Sequence, residues 1–204
     1  MKLALKLYLC VLVVLFCLSL SHASGANKGT YYTKVNIWYE NSQKIASTNY
    51  HRGAMIPVGT KVNVLGISGD KITFTTEDQQ GVTFVLINMR KHSLVDTQVL
   101  FTQHFSETDP KAAGGEFSKF NNKERDNIEA GTVSEGMSRE AVIMSYGYPP
   151  RHKTTALTNN IWTYWDARAT RRVVSFRNER VSRIEEINEY EEGRPRTQWY
   201  HYVY

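Results

Sequence analysis

The sequence predicts an α+β protein in two parts. A small antiparallel β-barrel comes first, then a unit of two helices and a three-stranded antiparallel sheet. Three observations carry this. Between Thr30 and Leu94, short runs of alternating apolar and polar residues recur roughly every ten residues, with Gly- and Pro-containing turns between them. Between Asn121 and Gly147, two segments open on capping residues and close on glycine. From Ile161 to Ile187, three β-prone runs follow. Helices segregated from an antiparallel sheet define the α+β class.

Residues 1–23 read as a secretory signal. Lys2 and Lys6 start it, Leu7 to Leu20 is almost wholly apolar, and Ser21-His22-Ala23 gives the small-x-small cleavage pattern. The apolar run falls short of the ~20 residues a spanning helix needs. Cleavage near Ala23 is therefore expected, and the alternative is an uncleaved anchor. Cys10 follows Leu9 and Cys17 follows Phe16, so neither fits a lipid-accepting cysteine, and no lipid anchor is expected. Both cysteines fall inside the signal, which leaves the mature chain without disulfide or thiol chemistry. The expected location is periplasmic or secreted. The whole chain carries a formal charge of +5, from 25 basic and 20 acidic residues. Without Lys2 and Lys6 it is +3 (23 − 20), a mild excess that demands no nucleic-acid partner.

The barrel is expected over residues 30–95. Tyr31 to Tyr39 reads as one strand. Pro57 and Gly59 turn the chain into Val62 and Val64, with Gly66 continuing the alternation. Gly69-Asp70 and Gln80-Gly81 are turns around "KITFTT" and "VTFVLI". Residues 96–118 are expected as a linker, with Asp96 to Phe105 as one more possible strand. The second unit spans 119–187. Asn121 with Glu124 forms a capping box, Gly131 stops that helix, and Ser138 caps the next, which Gly147 and Pro149-Pro150 end. Strands Ile161–Ala167, Arg171–Phe176 and Arg180–Ile187 follow, the last two joined by Arg177-Asn178-Glu179. The tail 188–204 ends in "WYHYVY" and reads equally as a strand or an interacting peptide.

The second unit resembles the BamE (SmpA/OmlA) family of Gram-negative envelope proteins. The residues that carry this are Gly136-Met137-Ser138, Gly147-Tyr148-Pro149, Trp162-Thr163-Tyr164, then Val174-Ser175-Phe176, Val181 and Ile184. The match covers about 65 residues, from about Asn121 to Ile187. The resemblance implies the α+β fold, an envelope location and a partner-binding habit. Similar αα-βββ units occur in the β-lactamase-inhibitor fold. Met137, Trp162, Phe176 and Ile184 are expected in the core. The chain departs from the pattern in lacking a lipid-accepting cysteine, in carrying Ser145-Tyr146 where two aliphatic residues are usual, and in adding the β part in front. That first part is similar to bacterial SH3-like barrels through "IPVGTKVNVL".

No sequence motif assigns an active site. His51, His92, His104, His152 and His201 show no metal-ligand spacing, and no zinc, nucleophile-elbow or phosphate-loop motif occurs. No metal or cofactor is expected. Arg168, Arg171, Arg172, Arg180 and Arg183, with Arg177, form the candidate partner-binding surface, because guanidinium groups suit anionic or acidic partners. Arg171 and Arg172 should point to opposite faces of their strand. Trp38, Tyr39 and Tyr50 are the candidate aromatic groove. The preferred reading is a non-enzymatic, exported cell-envelope adaptor or assembly factor that binds other envelope proteins, with anionic lipid as a further partner. The alternative is a module that binds peptidoglycan or another wall glycan through the barrel. A third reading places a hydrolase site around His104, His152 and Glu185.

Overall fold

The strand expected over Tyr31–Tyr39 is broken in its middle. In this computed structural model, which describes residues 28–48 and 50–188, Gly29–Thr33 forms β1 and Ile37–Tyr39 forms β2. The residue that breaks the run is Asn36, which is buried. Its amide Nδ2 donates to Ile128 O at 2.7 Å and Ser145 O at 3.1 Å. Its Oδ1 accepts from Val58 N at 2.8 Å, and its backbone N–H donates to Met144 O at 3.0 Å. A straight ladder would leave that carboxamide without these partners, and a buried unpaired amide is costly.

Around this bend the first half closes into a curled sheet. The strands are β3 (Ile45–Ala46), β4 (Ala54–Ile56), β5 (Lys61–Ser68), β6 (Lys71–Thr76) and β7 (Thr83–Ile87). With β8 (Phe105–Ser106), the order of the six-stranded sheet is β3-β7-β6-β5-β1-β8, while β2 and β4 pair separately. Every pairing is antiparallel except β3 with β7, where Ile45 faces Leu86 in parallel register. A bulge between Val64 and Gly66 resets the alternation, so Ile67 rather than Gly66 turns to the core and faces Ile72. Ile72, Phe74, Phe84 and Leu86 form the centre of that core.

The segment expected as a linker instead covers the sheet. Arg90–Ser93 forms the short helix α1 and Thr97–His104 forms α2, not a strand. Asp96 caps α2 by accepting from Val99 N, and Thr97, Leu100, Phe101 and His104 are buried at helical spacing. Phe105–Ser106 (β8) then pairs with β1. Leu100, Phe101 and Phe105 join the core of the curled sheet, with Phe105 against Phe74 at 5.2 Å between ring centroids.

The second half follows the sequence closely. A 3₁₀ turn (Glu116–Lys119) leads into α3 (Asn122–Ala130), whose capping box Asn121/Glu124 is complete. Gly131 ends α3 at φ 64°. Ser138 caps α4 (Arg139–Tyr146) by accepting from Ala141 N. Gly147 donates to Ile143 O, but at φ 77° and ψ −174° it is not the left-handed helical cap expected of it. That region is reserved for glycine nonetheless. Strands β9 (Ile161–Trp165), β10 (Thr170–Arg177) and β11 (Arg180–Asn188) form an antiparallel sheet in the order β11-β10-β9. Asn178 and Glu179 both have positive φ, as a two-residue primed hairpin requires.

Met137, Trp162 and Phe176 lie in this second core as expected, whereas Ile184 is only half-buried against it. Val58, from the first half, belongs to the same core, and Ile143 touches both cores. The architecture is therefore α+β. The expected signal segment and the tail beyond Asn188 lie outside the described residues. Among the described residues no helix is long and apolar enough to cross a membrane.

Two substitutions test this seam. Asn36→Ala strands Val58 N–H and Ser145 O, while Ile128 O keeps its bond from Gly131 N, and it should lower unfolding free energy by roughly 3 kcal/mol in denaturant titration. Exposed Asn63→Ala should change it by no more than about 0.5 kcal/mol. At Gly131 a Cβ would sit 2.7 Å from both Trp38 Cζ2 and Met55 Sδ. At Gly69, also left-handed at φ 57°, it would meet nothing within 4 Å. Gly69→Ala should cost only the ~1 kcal/mol of backbone strain, and Gly131→Ala clearly more.

Candidate partner-binding surface

The bend at Asn36 places residues of the first half against α4, and a trough of about 520 Å³ opens along that seam. Val35, Phe120, Ile143, Met144 and Tyr148 supply its apolar surface. Lys34, Glu116, Lys119, Glu140 and Arg180 supply a charged border. Gln103 and Tyr148 also line a second cavity of about 340 Å³, between α2 and the 149–157 loop. Burial, with the nearby Glu116 charge, pushes the Tyr148 phenol up, so it stays a neutral hydrogen-bonding group. An apolar floor with a charged rim is the anatomy of protein interfaces.

Beside the trough, Glu124 is a hub rather than a free acid. Its Oε1 accepts from Ser138 N at 2.8 Å and Arg180 Nη1 at 3.0 Å, and Oε2 accepts from Asn121. Burial alone would push this carboxyl up. The bonds from Ser138 and Asn121, with the Arg180 charge, outweigh it and hold the group below its usual range. The capping box was visible in the sequence, but the bonds to Ser138 and Arg180 were not.

The five arginines do not form one cationic face. Arg168 is exposed in the β9–β10 turn. Arg171 lies over the Trp165 ring, 4.4 Å from its centroid. Arg172 points to the opposite face, as alternation predicts, and bonds Asp166 at 2.7 Å and Glu186 at 3.1 Å. Arg180 holds Glu124 and Gly136 O, and Arg183 pairs with Glu185 at 2.8 Å. Sequence reasoning missed Arg139, the most enclosed of the paired arginines. Its guanidinium bonds Glu179, Leu157 O, Asn159 O and Asn160 Oδ1, and lies over the rings of Phe176 and Trp162. Nothing in its sequence context marks it.

A second polar knot ties the 50–53 loop to the second sheet. His51 stacks on Tyr146 at 3.8 Å between centroids. Its Nδ1 lies 3.1 Å from Asp166 Oδ1 and its Nε2 3.1 Å from Tyr146 O. Both neighbours are hydrogen-bond acceptors. Burial pushes the Asp166 carboxyl up, but His51 and Arg172 outweigh it and hold it below its usual range. Burial pushes the Tyr146 phenol up to about 12. Tyr146 is thus one of the two positions that depart from the aliphatic pattern. The other, Ser145, donates to Thr132 O at 2.7 Å.

The three aromatics of the expected groove are separated. Trp38 and Tyr39 are strand neighbours and face opposite ways. Trp38 meets His51 and, across the seam, the Gly131 position, while Tyr39 packs on Phe84 and donates to Gln79 Oε1. Tyr50 is exposed. His104, His152 and Glu185 likewise have separate partners: Leu100 O, His92 O and Arg183. Burial drives the His104 imidazole down to about 4, leaving it neutral. Among the described residues no three His, Cys, Asp or Glu side chains are grouped to hold a metal. No protein-family model, curated protein or solved structure matches the chain.

The two buried groups give separable pH signatures. His104 has a folded pKa of about 4 against 6.5 free. Its contribution is intact above pH 6.5 and is lost as pH falls from there to about 4, by roughly 3 kcal/mol at the limit. His104→Gln should flatten that window in urea titrations. Asp166 is held below 3.8, so its contribution persists above that value and fades only as pH drops further. Asp166→Asn should flatten the lower window and leave the upper slope.

Proposed function

We propose that the protein is an exported cell-envelope adaptor that binds another envelope protein in the seam trough. In this reading the curled sheet is an SH3-like barrel and the second half a BamE-like unit. The observation that carries it is the trough itself. Both halves wall it, Lys34 and Val35 from one side and Ile143 and Met144 from the other. A partner held there would contact the two halves at once, and its affinity would depend on their relative placement. The reading moves the contact away from the arginine hairpin, because Arg172 and Arg180 already have carboxylate partners. Arg183 is paired with Glu185 as well, so of the five only exposed Arg168 is left to assist at an edge.

Glu140 and Lys119 are exposed on the trough's border and no ion pair holds either among the described residues. The double variant Glu140→Lys/Lys119→Glu should keep the fold and cut partner recovery at least tenfold. A photo-crosslinker at Ile143 should capture one or two dominant envelope proteins, and one at exposed Leu65 on the barrel should not. Equal capture at both positions would refute the trough. The alternative, wall-glycan binding, predicts that the full chain sediments with purified cell wall and that Tyr50→Ala releases it. Sedimentation unaffected by the trough variant but abolished by Tyr50→Ala would favour it.

A further inference from the structure

Among the described residues, four of the seven exposed large apolar side chains come from two segments that touch. Met89 and Leu94 flank α1, Val99 is on α2 and Leu157 is in the 149–157 loop, with exposures of 38, 56, 41 and 41%. The two segments are joined at His92 and His152. His92 O accepts from His152 N at 3.1 Å, and the rings lie 4.6 Å apart. Val99 and Leu157 line one cavity with Val95, Pro149 and Pro150. Leu94 has φ 52°, a left-handed conformation unfavourable for leucine, and it still presents its side chain to solvent. Strain that leaves an apolar group exposed points to use rather than to packing.

Cations neighbour these residues in sequence, along with the exposed Asp96 that caps α2. Lys91 and Arg151 are exposed and Lys153 is half-buried, and no carboxylate pairs with any of the three among the described residues. Burial pushes the His152 imidazole down, and the nearby Lys153 and Arg171 charges push the same way. Arg90 is neutralised by Asp70.

We infer that this face docks on an anionic phospholipid surface: Lys91, Arg151 and Lys153 meet headgroup phosphates, and Met89, Leu94, Val99 and Leu157 enter the interfacial layer. Apolar side chains on separate exposed tips, bordered by unpaired cations, fit a plane better than a single bound chain. The cavity at this face shares Gln103 and Tyr148 with the trough.

Vesicle flotation of the full chain tests it. The chain should float with vesicles of about one-third phosphatidylserine in phosphatidylcholine, not with phosphatidylcholine alone, and raised salt should weaken binding. Lys91→Glu/Arg151→Glu should reduce binding at least tenfold. Leu94→Gly removes the apolar group and relieves the backbone, so it should reduce binding severalfold while melting no lower than the parent. Equal binding to neutral vesicles, no binding to anionic ones, or indifference to Leu94→Gly would overturn the proposal. Retention on polyglutamate with no loss in Leu94→Gly would identify an acidic protein as the partner instead, and also overturn it. The trough variant Glu140→Lys/Lys119→Glu should float normally, which separates failure here from failure of the adaptor reading.

Discussion

The buried carboxamide of Asn36 is the constraint on which the two halves depend. It satisfies three backbone groups from three places: Val58 of the first half, Ile128 at the end of α3 and Ser145 in α4. A buried amide with its polar atoms paired stabilises only one arrangement, because any slip along the seam strands several groups at once. The neighbouring bond from Asn36 N to Met144 O repeats the lock on the main chain. Val58 enters the second core and Ile143 bridges both cores as a consequence. The trough exists because this lock brings Val35 beside Met144 without filling the space around them.

Charge in this protein serves mostly to join elements. Glu124 gathers the starts of α3, α4 and β11. Arg139 closes the β10–β11 hairpin against the 157–160 loop. Asp166 lies between His51 and Arg172 and thereby ties the first half to the second sheet. Removing one member of such a buried pair leaves the other uncompensated, which is costly. Three cations without a carboxylate partner among the described residues, Lys91, Arg151 and Lys153, lie near α1 and the 151–153 turn.

A functional reading follows from what remains after the structural roles are subtracted. The hairpin arginines, Trp38 and Tyr39 are largely committed to contacts within the chain. What faces outward beyond these contacts includes Lys119 and Glu140 on the border of the trough and the apolar, basic face beside it. One suits a polypeptide and the other a lipid surface, and they are adjacent along α2.

The sequence by itself determined the elements whose signals are local. Capping residues and glycines mark α3 and α4, and Asn178-Glu179 accepts the turn that joins β10 to β11, because each depends on a few neighbouring side chains and backbone angles. The period of burial in α2 was present too, but its β-branched and aromatic residues read equally as a strand until the core of the curled sheet claimed one helical face. Tertiary structure alone decided that Asn36 breaks a strand, that Ile67 replaces Gly66 in the core, and that Arg172 and Arg180 are anchors. For Asn36 and Arg180 the outcome rests on a partner far away in sequence, Ile128 and Glu124 respectively. A hydrogen bond or ion pair of that kind has no signature in the composition or periodicity of the segment it reshapes.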